Sequence, residues 1–157
     1  MRVQLDIDIL QPAEQIWPIL ADWTQDFSWR YNLIRVKQSR PGQVESGTLV
    51  FEVVRLLGRN LLNIAMITTL EEGRRCCFQA IGADYRLEGE RSCTPTAQGT
   101  RVTLALDFEL PARQRLLTPL VAYAWRRSER HNLRSLKTLI EGTPRTAHVA
   151  SRELVLP

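Results

Sequence analysis

The sequence predicts an α+β fold in which helices cover one face of an antiparallel sheet. A strand-like alternation opens the chain, short apolar runs separated by turn residues fill its middle, and residues 112–141 contain no glycine. The chain has 157 residues, of which 44% are hydrophobic and 24% charged, which is typical of one globular domain. We predict that residues 1–142 form this domain. The tail, residues 143–157, lacks a clear period and is either disordered or adds a short edge strand at Leu154–Leu156.

The first elements are a strand and two short helices. Apolar residues alternate with polar ones between Val3 and Ile9, which predicts a half-buried strand. Pro12 stands at a favourable first position for a helix. Pro18 lacks a backbone donor, so we expect this helix to be short or kinked and to end near Trp23. A second short helix or turn is predicted from Asp26 to about Tyr31.

Six further strands are predicted, separated by turns rich in glycine and proline, as in an antiparallel meander. They cover Leu33–Ser39, Thr48–Leu57, Leu61–Leu70, Arg75–Ile81, Asp84–Thr94 and Val102–Leu110. If Phe51 faces the core, Arg55 does too, and if Tyr85 faces the core, so does Arg91. Since a buried unpaired charge is costly, either a bulge changes the register, or the arginine head groups reach the cavity mouth or bind an anionic or carbonyl group. Glu52 is predicted to be solvated.

The long C-terminal helix, predicted from Ala112 to Glu141, has an inner face that is apolar at both ends and small and polar in its middle. On a helical wheel this face holds Leu117, Val121, Ala124, Ser128, Ser135 and Leu139, with His131 and Asn132 at its borders. The opposite face holds Arg115, Arg126, Arg130, Arg134 and Lys137. Small polar groups here favour a cavity wall. Alternatively, His131 is a core histidine bonded to a carbonyl, and the serines only allow close packing.

Aromatic side chains add to this candidate cavity, because they combine an apolar body with a polar handle in Tyr and Trp. Trp17 and Trp23 are expected to belong to the core, whereas Trp29 and Tyr31 stand beside a loop. The candidate ligand-cavity residues are therefore Trp29, Tyr31, Phe51, Arg55, Tyr85, Arg91, Ser128, His131, Asn132 and Ser135.

Several function classes are not supported by any motif. The sequence has no Gly-rich phosphate loop, no nucleophile elbow and no Cys/His pattern with zinc spacing, so we predict no cofactor, no metal and no assigned catalytic residue. The net charge is +4, and the arginine face is expected to be solvated rather than to bind nucleic acid.

The cysteines and the apolar runs indicate the cellular compartment in which we expect the protein. The three cysteines are predicted to be reduced thiols, two of them packed as small hydrophobes, with a redox or nucleophilic role as the alternative. Asp6 and Asp8 interrupt the first apolar stretch, which argues against a signal peptide. No apolar run is long enough for a transmembrane helix, so we expect a cytoplasmic protein.

Short motifs resemble those of the START-like superfamily, also called SRPBCC, and most closely its polyketide cyclase/dehydrase and lipid-transport group. They are residues 12–17 (PAEQIW) with Leu20 and 22–23 (DW), Trp29, 47–48 (GT), 99–103 (GTRVT) and 136–142 (LKTLIEG). The resemblance covers about residues 3 to 142. It implies a helix-grip fold, in which a curved antiparallel sheet of about seven strands wraps around the long helix and leaves a cavity. No catalytic residue carries over from the family.

Three functions are open at this point. The first is a protein that binds a small hydrophobic or aromatic molecule, such as a lipid, quinone or polyketide. The second is an aromatase, cyclase or dehydratase that uses His131 or Tyr85 as acid or base and Arg55 or Arg91 to bind a carbonyl or enolate. The third is a protein-interaction module that uses the arginine face, including Arg126 and Arg130.

Overall fold

The structure is a computed structural model that describes residues 1–81 and 85–142. The predicted tail with its candidate strand at Leu154–Leu156, and the turn around Gly82, lie outside the described residues.

Within the described residues, seven antiparallel strands form one sheet, in the order β1-β7-β6-β5-β4-β3-β2. They are β1 Arg2–Ile9, β2 Leu33–Gln38, β3 Leu49–Leu56, β4 Arg59–Glu71, β5 Arg75–Ala80, β6 Arg86–Thr96 and β7 Gly99–Glu109. The six later strands form the predicted meander, and β1 closes it by pairing with β7, with Val3 opposite Leu106 and Ile7 opposite Val102. The predicted strands are confirmed with small changes at their ends.

Two α-helices and two 3₁₀-helices complete the described fold. They are α1 Ala13–Ala21, a 3₁₀-helix at Trp23–Ser28, a second at Ala112–Leu117, and α2 Thr118–Gly142. The first helix is short and contains Pro18, as predicted, but it ends at Ala21 because Asp22 starts the 3₁₀-helix by accepting a hydrogen bond from the Thr24 amide. No helix in residues 1–81 and 85–142 is long and apolar enough to cross a membrane.

The core has two parts along α2. The larger cluster packs α1 and the later half of α2 against the sheet, and it includes Ile16, Leu20, Ile67 and Leu136, together with both Trp17 and Trp23 as predicted. The smaller cluster lies under the first half of α2 and holds Val3, Leu87, Phe108 and Ala122. The α+β fold with the sheet curled around a long helix is thus confirmed.

The inward face of α2 differs in part from the prediction. Its buried residues are Ala122, Ser128, Asn132, Leu133, Leu136 and Ile140. Ser128 and Asn132 are therefore inside, as predicted, whereas Leu117 is 50% exposed and His131 is exposed. The helix is rotated because Leu133, Leu136 and Ile140 bury more apolar surface than the small residues that the wheel placed at the centre.

Candidate functional site

A cavity lies between the sheet and α2. The space free of protein atoms is about 540 Å³, and this figure includes open solvent at the mouth. The volume that the centre of a water molecule can occupy is only about 50 Å³. Its apolar lining is Val3, Leu5, Trp23, Trp29, Phe78, Leu87, Leu104, Ala105, Leu106 and Trp125. Its polar lining is Arg30, Glu52, Glu90, Arg91 and Glu129. A mostly apolar wall with a few convergent polar groups is the usual composition of a small-molecule site.

A buried ionic network forms the polar wall. Asp26, on the first 3₁₀-helix, is fully buried and accepts hydrogen bonds from Arg91 Nη1 at 2.9 Å and Nη2 at 2.5 Å. Arg30 Nη1 donates to Asp26 Oδ2 at 2.9 Å and to Glu52 Oε2 at 2.8 Å. Two guanidinium groups and two carboxylates therefore meet, and their charges balance.

Arg91 faces the core, as its strand register predicts. Its Cζ lies 3.8 Å from the centroid of the Trp23 ring and 5.6 Å from that of Trp29, so its charge also faces aromatic rings. Nη1 donates to the Leu20 carbonyl at 3.1 Å. The partner that allows this burial is a carboxylate of the same chain, Asp26, rather than a change in register or an external anion.

Glu52 continues the network and corrects a prediction. Expected to be solvated, it is only 7% exposed, because Arg30 supplies an opposite charge and Asn63 Nδ2 donates to Oε1 at 3.1 Å. Asn63 Oδ1 in turn accepts a hydrogen bond from the Tyr85 hydroxyl. Burial, and then the Glu52 carboxylate, raise the pKa of Tyr85 above its ordinary value.

The same register turns two predicted cavity residues away from the cavity. On β3 the buried residues are Val50, Glu52, Val54 and Leu56. Phe51 is therefore 38% exposed and Arg55 is exposed, with its Nε 3.4 Å from Asn60 Oδ1. The inward orientation predicted for Arg55 is wrong, because the strand alternates from the opposite residue.

Burial opposes the charge of Arg30, but the nearby Glu52 and Asp26 outweigh it and raise its pKa above the ordinary value. The guanidinium therefore stays charged inside the protein. Arg30 Nε and Trp29 Nε1 are buried and have no hydrogen-bond partner in residues 1–81 and 85–142. Both residues line the cavity.

Two residues of α2 that line the cavity, Trp125 and Glu129, were not among the predicted cavity residues. Glu129 is the charged one. It is half-buried, and Asn132 Nδ2 donates to its Oε2 at 3.3 Å and to Asn32 Oδ1 at 3.1 Å. Burial raises the pKa of Glu129, and Arg30 opposes that rise only in part. The sequence did contain a signal for its inward position. Glu129 is four or seven residues from Ala122, Leu133 and Leu136, and residues at these spacings share a helix face.

The other candidates are spread around the site. Trp29 and Arg91 line the cavity, and half-buried Tyr85 reaches it through Asn63 and Glu52. Tyr31 is 62% exposed and its ring packs edge-on against that of exposed His131, with centroids 4.5 Å apart. Ser128 is buried, Ser135 is half-buried, and Asn132 touches the site by holding Glu129. A role of these residues in ligand contact stays a prediction.

The fold is a curled antiparallel sheet that grips a long C-terminal helix, and it defines the class of the protein. The sequence matches the family described as polyketide cyclase / dehydrase and lipid transport over residues 1–141. The chain belongs to this family, as its motifs predicted. A search of curated protein sequences finds no significant match.

Solved structures share the fold at low identity. TTHA0849 from Thermus thermophilus superposes with a TM-score of 0.79 at 20% identity, covering 92% of this chain and 99% of that one. The Zhui aromatase/cyclase from Streptomyces sp. R1128 gives 0.76 at 17% identity, over 94% and 98%. A START superfamily protein from Mycobacterium smegmatis gives 0.70 at 17% identity, over 90% and 97%. The family and fold fit the binding of small hydrophobic ligands.

Proposed function

We propose that this protein binds a small molecule that has a flat apolar body and an oxygen acceptor at one end. The observation that carries the proposal is the cavity itself, in which tryptophans and aliphatic side chains meet one charged wall. The apolar body would lie among Trp29, Phe78, Leu104 and Trp125. Because little of the space admits water, side chains must move apart to admit a ligand.

The oxygen acceptor would lie near Trp29 and Arg30. Trp29 Nε1 and Arg30 Nε are buried donors without partners among the described residues, and such donors cost free energy. A carbonyl, enolate or phenolate oxygen that reached them would recover this cost. Arg91 supports this arrangement indirectly, by holding Asp26 against Arg30.

Two probe molecules of similar shape test this proposal. One is 2-acetylnaphthalene, which carries a carbonyl acceptor, and the other is 2-ethylnaphthalene, which has no acceptor. Each is titrated into the full-length protein and followed by tryptophan fluorescence. We expect both to bind and the ketone to bind about 5-fold more tightly, as one net hydrogen bond contributes roughly 1 kcal/mol.

Two tryptophan variants make the test specific. Trp29→Phe keeps an aromatic ring and removes the Nε1 donor, so the advantage of the ketone should fall, because only Arg30 Nε remains to donate to the oxygen. Trp17→Phe is the matched control, because Trp17 is equally buried, also has an unpartnered Nε1 among the described residues, and does not line the cavity. Absence of binding in the wild type contradicts the function, and an equal effect of both variants contradicts the proposed oxygen position.

A second candidate, a dehydratase-type enzyme, is favoured by Glu129. A carboxyl group of raised pKa that lines an apolar cavity suits general acid–base catalysis. Its carboxylate would remove the proton next to the carbonyl of a β-hydroxyketone, and the electron pair would form a C=C bond. The β-hydroxyl would leave with that proton as water. Glu129 replaces His131 in this role, because His131 is exposed outside the cavity.

The test uses 4-hydroxy-4-phenylbutan-2-one, whose dehydration gives a conjugated enone that absorbs in the ultraviolet. The enzyme candidate predicts that the wild type accelerates this reaction and that Glu129→Gln abolishes the acceleration while it still binds 2-acetylnaphthalene. No acceleration by the wild type leaves the binding function as the conclusion.

A further inference from the structure

The end of the fold where α2 begins exposes several large apolar side chains. Leu116 is 96% exposed, Leu117 50%, Leu120 52% and Tyr123 63%. Single exposed apolar residues are common on protein surfaces, but a group of them close together marks an interaction site.

The exposed side of α2 continues from this apolar group into a row of arginines. Leu120, Tyr123, Arg127, Arg130 and Arg134 follow at spacings of three and four residues, so they lie on one side of the helix. All five are exposed. We call Leu116 together with these five residues the α2 stripe. It lies roughly opposite the buried row of Leu133, Leu136 and Ile140.

The charge of the α2 stripe is uncompensated. None of its arginines forms an ion pair within residues 1–81 and 85–142, and Arg126 beside them also has none. Glu129, the acidic residue between Arg113 and Arg134 in the sequence, points into the cavity instead. The stripe is therefore apolar at one end and positive along the rest, without a carboxylate.

We propose that the α2 stripe docks the protein on an anionic lipid bilayer. Arginines alone would suit a nucleic-acid backbone, but that partner gives no role to the exposed leucines. A lipid surface uses both halves, since leucine and tyrosine side chains enter the interface while arginines meet the phosphates. The proposal is independent of the ligand, because the stripe faces away from the cavity.

The experiment is co-sedimentation of the full-length protein with vesicles of phosphatidylcholine alone or mixed with one-third phosphatidylglycerol. We expect binding to the anionic vesicles that weakens as salt is raised. Arg127→Glu with Arg130→Glu should lower the partition coefficient roughly 30-fold or more. Leu116→Ser with Leu120→Ser should lower it about tenfold, because less apolar surface enters the interface.

The control is Leu62→Ser with Arg59→Glu on β4, where the same residue types are also exposed but lie outside the stripe. It should bind like the wild type, and far-ultraviolet circular dichroism checks that each variant is folded. Three results would overturn the proposal. They are equal binding to neutral and anionic vesicles, equal losses in control and stripe variants, and binding of RNA or a protein partner with no binding of anionic vesicles.

Discussion

Arg91 donates two hydrogen bonds to Asp26, a residue 65 positions earlier in the chain, and Asp26 is fully buried. This pair joins β6 to the first 3₁₀-helix, and its arginine lines the cavity. The site is therefore built from a contact that also holds the helical segment on the sheet.

Loss of this pair should destabilise the protein. Arg91→Met removes two hydrogen bonds to Asp26 and leaves its carboxylate with Arg30 alone. We expect the free energy of unfolding to fall by about 3 kcal/mol, the usual effect of breaking a buried pair from one side. Urea denaturation measures the change. Arg101→Met is the control, because the Arg101–Asp8 pair is similar in geometry but exposed, and little change is expected there. Equal effects would contradict the structural role.

Glu129 should make stability depend on pH. Its pKa is higher in the folded than in the unfolded protein, so stability falls as the pH rises between the two values. Glu129→Gln removes that loss and keeps an acceptor for Asn132. We expect the variant to be more stable than the wild type at neutral pH, with the difference vanishing at about pH 4, where the carboxyl is largely protonated in both states.

Urea unfolding at both pH values measures this difference, and Glu72→Gln on an exposed turn is the control. A variant less stable than the wild type at neutral pH would show that the network needs the ionised carboxylate.

The thiols should differ in reactivity. Burial raises the pKa of Cys76 to about 11 and that of Cys93 to about 12, and both side chains are buried. Cys77 is half-buried with a raised pKa, chiefly through burial. Because the thiolate is the reactive form, we expect a disulfide reagent to modify Cys77 first in the native protein and all three thiols after unfolding. Rapid reaction of the Cys77→Ser variant contradicts this order.

Gly89 should be intolerant of a side chain. It lies opposite Phe78 in the β5–β6 pair, and a Cβ added to it would overlap the Phe78 ring. Phe78 also packs edge-on against Trp23 and lines the cavity. Gly89→Ala should lower stability by about 1–3 kcal/mol and weaken binding of 2-acetylnaphthalene.

Thermal unfolding and probe titration measure these two effects. Phe78→Leu combined with Gly89→Ala should restore part of the stability, because a smaller side chain leaves room for the methyl group. A fully stable Gly89→Ala protein would mean that the ring does not lie over this glycine.

The sheet and the long helix could be predicted because their signals are local. Alternation of apolar and polar residues predicts the strands, and a long stretch without glycine predicts the helix. Arg91 was also predictable, since it shares a strand face with Leu87. Glu52 was not, because its burial depends on Arg30, which reaches it from the segment between the first 3₁₀-helix and β2. Periodicity reports which residues share a face, whereas the pairing of buried charges depends on how distant elements meet.

We propose that the cavity admits one small molecule, and native mass spectrometry of the full-length protein with 2-acetylnaphthalene would detect that complex. We predict a complex with one bound probe for the wild type and for Leu62→Trp, where the new ring is exposed. The complex should be absent for Leu104→Trp, which fills the cavity. No complex with the wild type, or one that persists in Leu104→Trp, would contradict the claim.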